Sequence, residues 1–197
     1  MITKEDVKAL RDQTGISFMQ CRKALEESNG DMEKALLVLQ KASGKAALKK
    51  ADRELGAGVI SSYIHNNKQV GVLIELNCET DFVAKNEEFL KLADDIAMHV
   101  AAMSPSFISQ EEITEDDRKK MTDILTAEEA AMDASEKTEA KSLEEKLSDY
   151  FTAQTLLSQA YVKNPEQTID QLIQSAIQKI GEKIEIGQMV RFGVLEA

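Results

Sequence analysis

The chain has little of what most catalytic and secreted proteins are built on: two cysteines, two histidines and no tryptophan among 197 residues. Cys21 and Cys78 stand alone, with no Cys-x-x-Cys and no histidine at ligand spacing. Neither a disulfide framework nor a zinc site is expected, and a reducing cytoplasm is the expected compartment. No apolar run approaches the ~20 residues that a membrane span needs. The first eleven residues are charged and amphipathic, without the apolar stretch of a leader peptide. His65 and His99 fall on separate elements, and no Gly-x-Ser-x-Gly or metal-ligand cluster occurs. The pairs Glu87-Glu88, Glu111-Glu112 and Glu128-Glu129 read as exposed helix neighbours, so acid–base or covalent catalysis has no visible machinery. The chain is expected not to be an enzyme and to carry no cofactor or metal of its own. Gly56-x-Gly58 precedes a strand and lacks a third glycine, which argues against a phosphate loop.

Positive charge is also scarce. The net charge is −11. It is uneven: residues 1–58 carry 11 Lys/Arg against 9 Asp/Glu, and residues 59–197 carry 13 against 26. Phosphate backbones repel such a surface, which disfavours direct nucleic-acid binding. Lys41, Lys45, Lys49 and Lys50 make the only basic cluster and read as a solvated helix face or linker. An acidic body suits a protein partner with basic patches. The hydrophobic fraction of 43% is ample for one medium domain, or one domain plus a small module.

Three short helices are predicted in the first 43 residues. Val7 and Leu10 mark the first, which ends at Thr14-Gly15. Ser17 is a candidate cap for the second, carrying Cys21, Ala24, Leu25 and Ser28. Asp31 is a candidate cap for the third, with Met32, Ala35, Leu36 and Leu39. This pattern fits a three-helix bundle of the ubiquitin-associated kind. Ile16, Phe18 and Met19 fall in its first interhelical loop, either plugging the small core or forming a binding face. Residues 44–58 read as an Ala/Lys-rich connector. A hairpin follows over 59–65 and 69–78, turning at Asn66-Asn67, with Val70, Val72, Ile74, Leu76 and Cys78 on one face. A helix from about Asn86 carries Phe89, Leu92, Ala93, Ile96, Val100 and Met103 as its apolar stripe, with His99 at the edge. Residues 114–157 are helical and acidic, with a turn at 133–142, and 168–180 form one more helix. A final strand places Ile184, Ile186, Val190, Phe192 and Val194 on one face. The fold class is α+β: the N-terminal bundle over 1–43, the connector over 44–58, and a core over 59–197 with an antiparallel sheet packed by helices.

The junction between hairpin and helix is the most telling stretch. Thr80-Asp81-Phe82-Val83-Ala84-Lys85 sets an acid and a large aromatic side by side at a corner. Phe82 there is either a core plug or an exposed contact. The longer string Glu75-Leu76-Asn77-Cys78-Glu79-Thr80-Asp81-Phe82-Val83-Ala84-Lys85-Asn86 resembles the core motif of the bacterial elongation factor Ts family. The stretch from Thr14 to Leu25 resembles that family's N-terminal motif, and Ile96-Ala97-Met98-His99-Val100-Ala101-Ala102 its core helix. The three occur in family order between about Val7 and Pro105. The sequence departs from the family at Ser17-Phe18, where glycine-methionine is usual, and at Ala160, where proline is usual. Glu144-Glu145-Lys146 replaces a glycine-arginine segment, and the length resembles the family's compact members.

The resemblance implies a guanine-nucleotide exchange factor for elongation factor Tu, acting in translation elongation. It implies that Thr80, Asp81, Phe82 and Val83 reach the partner and dislodge its Mg²⁺, with Ile16, Phe18, Met19 and His99 as further contacts. The metal in that scheme belongs to the partner. A non-covalent homodimer is a further implication, because compact relatives use such a C-terminal strand and no cysteine lies in 184–197. The competing reading, an adaptor or holdase with a ubiquitin-associated-like module on an acidic scaffold, leaves the acid–aromatic corner without a purpose.

Overall fold

The computed structural model describes residues 2–131 and 142–195. Helices α1 (Lys4–Thr14), α2 (Phe18–Glu27) and α3 (Met32–Leu48) form the N-terminal bundle. Each start is capped by a side chain that satisfies an orphan backbone donor: Thr3 accepts from Asp6 N, Ser17 from Gln20 N and Asp31 from Lys34 N. Gly15 closes α1 in the left-handed region at φ 67°, a conformation that glycine adopts without a Cβ penalty. Val7, Leu10, Ile16, Cys21, Ala24, Leu25, Ala35 and Leu39 make a small core of their own.

The first part of the expected connector, residues 44–48, is helical, because α3 runs through Gly44 to Leu48. Lys45, Ala46, Ala47 and Leu48 are good helix formers, and the continued helix packs on α8 (Ile169–Ile180). Ser43 Oγ donates to Gln178 Oε1 across that contact. A Cβ on Gly44 would come within 3.1 Å of Gln174 Oε1, so the glycine permits the close approach. Residues 49–56 then form turns that lead to the sheet.

The sheet has three antiparallel strands in the order β1 (Ala57–Ile64), β2 (Val70–Cys78), β5 (Ile184–Gly193). The β1–β2 hairpin pairs Ile64 with Gly71 and closes where Lys68 N–H donates to His65 C=O. Val72, Ile74, Leu76 and Cys78 face inward from β2, onto α5 (Glu87–Met103), which contributes Phe89, Leu92, Ala93, Ile96, Ala97 and Val100. Ile169, Ile173 and Ile177 of α8 complete the core, and each such buried side chain contributes about 1.5–3 kcal/mol. Met103 stands at the exposed end of the α5 stripe.

The single inward face expected for the last strand is corrected by a bulge. Glu75 pairs with Gln188 and Leu76 with Ile186, which leaves Gly187 as the extra residue. Ile184 and Ile186 are buried before it. Beyond it the phase reverses: Met189 packs on the core, while Val190, Phe192 and Val194 are exposed. Strand periodicity of two cannot survive one inserted residue.

Helices α6 (Glu115–Ala131) and α7 (Leu143–Gln154) pack together, held by an ion pair from Lys146 to Glu129 at 2.8 Å. The turn expected at 133–142 lies largely outside the described residues; Ser142 caps α7 with a reciprocal bond to Glu145. A hairpin of β3 (Ala160–Tyr161) and β4 (Asn164–Thr168) follows, which the sequence pattern did not suggest.

Candidate functional site

The Thr80–Lys85 corner begins where β2 leaves the core. Cys78, the last β2 residue, is fully buried, and its thiol donates to Thr80 C=O at 3.2 Å. Burial raises the Cys78 thiol above its ordinary range, with the nearby Glu182 carboxylate adding to the effect. The cysteine is a packing residue at the root of the corner.

The expected helix from Asn86 is present, with Asn86 Oδ1 accepting from Glu88 N–H at 2.8 Å. Before it stands a further helical turn that the sequence pattern missed: α4 (Asp81–Ala84). Thr80 caps it, Oγ1 accepting from Val83 N–H at 3.4 Å and the carbonyl from Ala84 N–H at 3.2 Å. The signal was a threonine followed by an acidic residue, a common N-terminal pattern obscured by a helix only four residues long. One turn is enough to sort the side chains. Ala84 is buried and Val83 packs half-buried on the sheet core, whereas Phe82 is 82% exposed. Phe82 is therefore no core plug. It projects from the surface beside Asp81.

Asp81 holds an ion pair with Lys85 at 2.9 Å, both side chains largely exposed. Its carboxyl is pushed below the usual carboxylate range, chiefly by the hydrogen bond from Lys85 and then by that lysine's charge. An exposed pair of this kind is held weakly and exchanges partners readily. The corner thus offers a bare aromatic ring and a carboxylate whose present partner is replaceable.

The base of the corner is held much more firmly. Glu79 accepts from Lys183 N–H at 2.5 Å and from Arg53 Nη1 at 3.1 and 3.2 Å. The Lys183 backbone bond is the larger cause of the lowered Glu79 carboxyl, ahead of Arg53. Glu182 accepts two bonds from Thr80, from N–H at 3.0 Å and from Oγ1–H at 2.7 Å. Arg53, Glu79 and Glu182 carried no individual signal in the sequence, because their partners lie 26 to 104 residues away.

Two of the further contacts expected from the resemblance, Ile16 and His99, are buried in the chain itself. Ile16 is 3% exposed and belongs to the N-terminal core, its carbonyl accepting from the Cys21 thiol at 3.5 Å. The left-handed Gly15 turns the chain so that Ile16 points inward. Phe18 and Met19 lie in the first turn of α2, beyond the loop, and are 39% and 71% exposed. His99 is fully buried on α5. Its Nε2 pairs with Gln159 Oε1 at 2.9 Å and its Nδ1 accepts from Val162 N–H at 3.2 Å. Gln159 in turn donates to Ala153 C=O, which fixes its amide and makes His99 Nε2 the protonated nitrogen. Burial lowers the His99 pKa, and the bond to Gln159 opposes this only in part. A ring so enclosed joins α5 to the β3 hairpin.

Two convex apolar features therefore stand on one acidic protein: Asp81-Phe82 on the core and Phe18-Met19 on the bundle. The projecting corner thus belongs to an α+β core joined to a helical bundle. The family model described as Elongation factor TS matches residues 22–196. Curated relatives under the name Elongation factor Ts cover the whole length. The protein from Thermosipho melanesiensis is 46% identical over 196 residues, 100% of each chain. That from Acetivibrio thermocellus is 44% identical over 98% of this chain and 89% of its own. That from Fervidobacterium nodosum is 42% identical over 99% of both. The chain belongs to the elongation factor Ts family. No helix among the described residues is long and apolar enough to cross a membrane.

Proposed function

We propose that this chain is a guanine-nucleotide exchange factor that binds elongation factor Tu in the cytoplasm and releases its GDP during translation elongation. The observation that carries the reading is Phe82, 82% exposed on a turn whose neighbours Val83 and Ala84 are anchored in the core. A large aromatic held out in water is costly unless a partner covers it, and aromatic anchors dominate interface energetics. Phe82 enters a cleft between helices of the partner's nucleotide domain as a rigid wedge. Asp81 exchanges Lys85 for a donor in the partner and disturbs the network around that protein's Mg²⁺. Thr80 and Val83 hold the corner in place, and Phe18 and Met19 grip a second patch. No covalent step is required, so the chain acts by binding and not as an enzyme.

Weakening of GDP by the factor requires equal weakening of the factor by nucleotide, which lets GTP eject it. A ~1,000-fold faster GDP release corresponds to roughly 4 kcal/mol off the barrier. One aromatic hot spot and one charged contact are of that order, at about 2 kcal/mol or more each. The test is stopped-flow release of fluorescent GDP from elongation factor Tu. The full chain accelerates release at micromolar concentration. Phe82→Ala slows it by about 30-fold or more, while unfolding stability changes by less than about 1 kcal/mol. Absence of acceleration by the unaltered chain removes the exchange reading in favour of the adaptor.

We infer in addition that a second copy of the chain covers the outer face of the sheet. Ile60, Ile64, Leu73, Val190, Phe192 and Val194 are exposed there, and Phe192 is 67% so. Cross-strand pairs such as Ser62–Leu73–Val190 set these residues side by side. A patch of this kind suits an isologous contact between identical faces. No cysteine lies in 184–197, so the association is non-covalent. Sedimentation that depends on concentration, abolished by Phe192→Glu, is the expected result. A monomer at every concentration removes this inference and leaves the exchange reading intact.

A further inference from the structure

We propose that Glu182 is a positioning residue for the contact corner: its carboxylate sets the Thr80 side chain, and through it the direction in which Phe82 projects. The proposal rests on the exchange reading above.

A helix of four residues has no stability of its own, since nucleation fixes several dihedrals for a single hydrogen bond. The direction of Phe82 therefore comes from the packing of Val83 and Ala84 on the core and from whatever fixes the start of α4. That start is Thr80. Its hydroxyl has one proton and two lone pairs, and both functions are occupied. The proton goes to Glu182 Oε1 at 2.7 Å, and a lone pair meets Val83 N–H at 3.4 Å. The Thr80 backbone N–H goes to the other carboxylate oxygen at 3.0 Å. Two parallel bonds to one ionised group define both the backbone orientation and the rotamer of Thr80.

Glu182 is itself fixed from two sides. It follows Gly181, which ends α8 in the left-handed region at φ 92°. Lys183, the next residue, donates its backbone N–H to Glu79 at 2.5 Å, and Glu79 is gripped by Arg53. The turn between α8 and β5 thus clasps both residues that precede α4. Without the carboxylate, the cap hydroxyl is free to turn toward water, and the α4 turn frays while the buried core beneath stays packed. This is a local loss of order at a site that must be rigid to wedge a partner apart.

Glu182→Gln is the discriminating change. It keeps the size but replaces a double acceptor by one acceptor and one donor, so one of the two Thr80 donors loses its partner. The full chain is compared with this variant by GDP release from elongation factor Tu, thermal melting, and amide hydrogen exchange at Val83. Expected are an about tenfold slower GDP release at subsaturating concentration, an about tenfold faster amide exchange at Val83, and a melting temperature within about 2 °C. Phe82→Ala combined with Glu182→Gln is no slower than Phe82→Ala alone, because both act through the same ring. Thr80→Val reproduces the defect and Thr80→Ser restores most of the rate. This pair leaves Glu182 untouched and decides the matter if Glu182→Gln melts far below the parent. Unchanged release and unchanged Val83 exchange in Glu182→Gln overturn the proposal. So does slowed release with a fully protected Val83 amide, which makes Glu182 a direct contact. Failure of the unaltered chain to release GDP removes the exchange reading instead, and Val83 protection then decides the role of Glu182 alone.

Discussion

The corner at Phe82 and the start of α2 at Phe18 present similar chemistry on very different supports. Phe82 stands on one helical turn over a core fed by two strands, α5 and α8. Thr80 is fastened there to a residue 102 positions away. Phe18 and Met19 stand on a ten-residue helix over a core of eight side chains, with Ser17 as the local cap. The first feature is rigid because distant chain segments converge on it. The second is rigid only as far as its own bundle is. Interfaces that must deform a partner need the first kind of support, and interfaces that only tether can use the second.

The strongest way to break this contrast is to remove the weaker support. Deleting residues 1–43 takes away Phe18 and Met19 and also most of α3, which packs on α8. A connector over 44–58 would imply a clean cut between bundle and core, with little change in the melting of the core. The packing of α3 on α8 and the Ser43–Gln178 bond predict otherwise. The truncated chain should remain folded but lose about 3 kcal/mol, or roughly 6–12 °C in melting temperature. GDP release should slow through weaker binding, recovering at high concentration. A truncated core that melts like the parent restores the picture of two separate modules, and one that fails to fold makes the bundle part of the core.

How much of this was legible in the sequence follows from the range of the interactions. The caps at Ser17 and Asp31, the helix start near Asn86 and the β1–β2 hairpin were readable because their physics spans a few residues. So was the buried stripe of α5, apart from its exposed last member, Met103. Alternation in β5 was readable only up to Gly187, because a bulge depends on pairing with β2. Gly44 looked like a boundary because glycine disfavours helices, yet tertiary packing on α8 outweighed a cost of about 1 kcal/mol. At the site, Asp81 and Phe82 were found through the resemblance, while their exposure was left open by the residues alone. The burial of Ile16 and His99 was left open as well, since an apolar residue in a loop and a histidine at a stripe's edge reveal burial only in three dimensions. Glu182 and Arg53 left no trace at all.

The contrast can also be sharpened with pH, through a smaller effect on the core beneath the corner. His99 is buried there, and the bundle's core side chains include no histidine. In the folded chain its pKa lies below the ordinary value of 6.5, because burial penalises the charged ring. The folded state therefore binds fewer protons than the unfolded state once the pH falls below that value. Stability from neutral His99 is complete above about pH 6.5 and drains away as the pH drops toward the depressed folded pKa. Linkage limits the loss to about 1.4 kcal/mol per pH unit for one proton. Protonation of Nδ1 also removes the acceptor for Val162 N–H, so the β3 hairpin should loosen first. Melting temperature should fall between pH 7 and 5.5, with amide protection lost near Val162 before it is lost at Leu25 in the bundle. His99→Gln should flatten that slope while keeping a donor for Gln159. If bundle amides lose protection at the same pH as those near Val162, the two supports melt as one unit, and their difference in rigidity at neutral pH needs another cause.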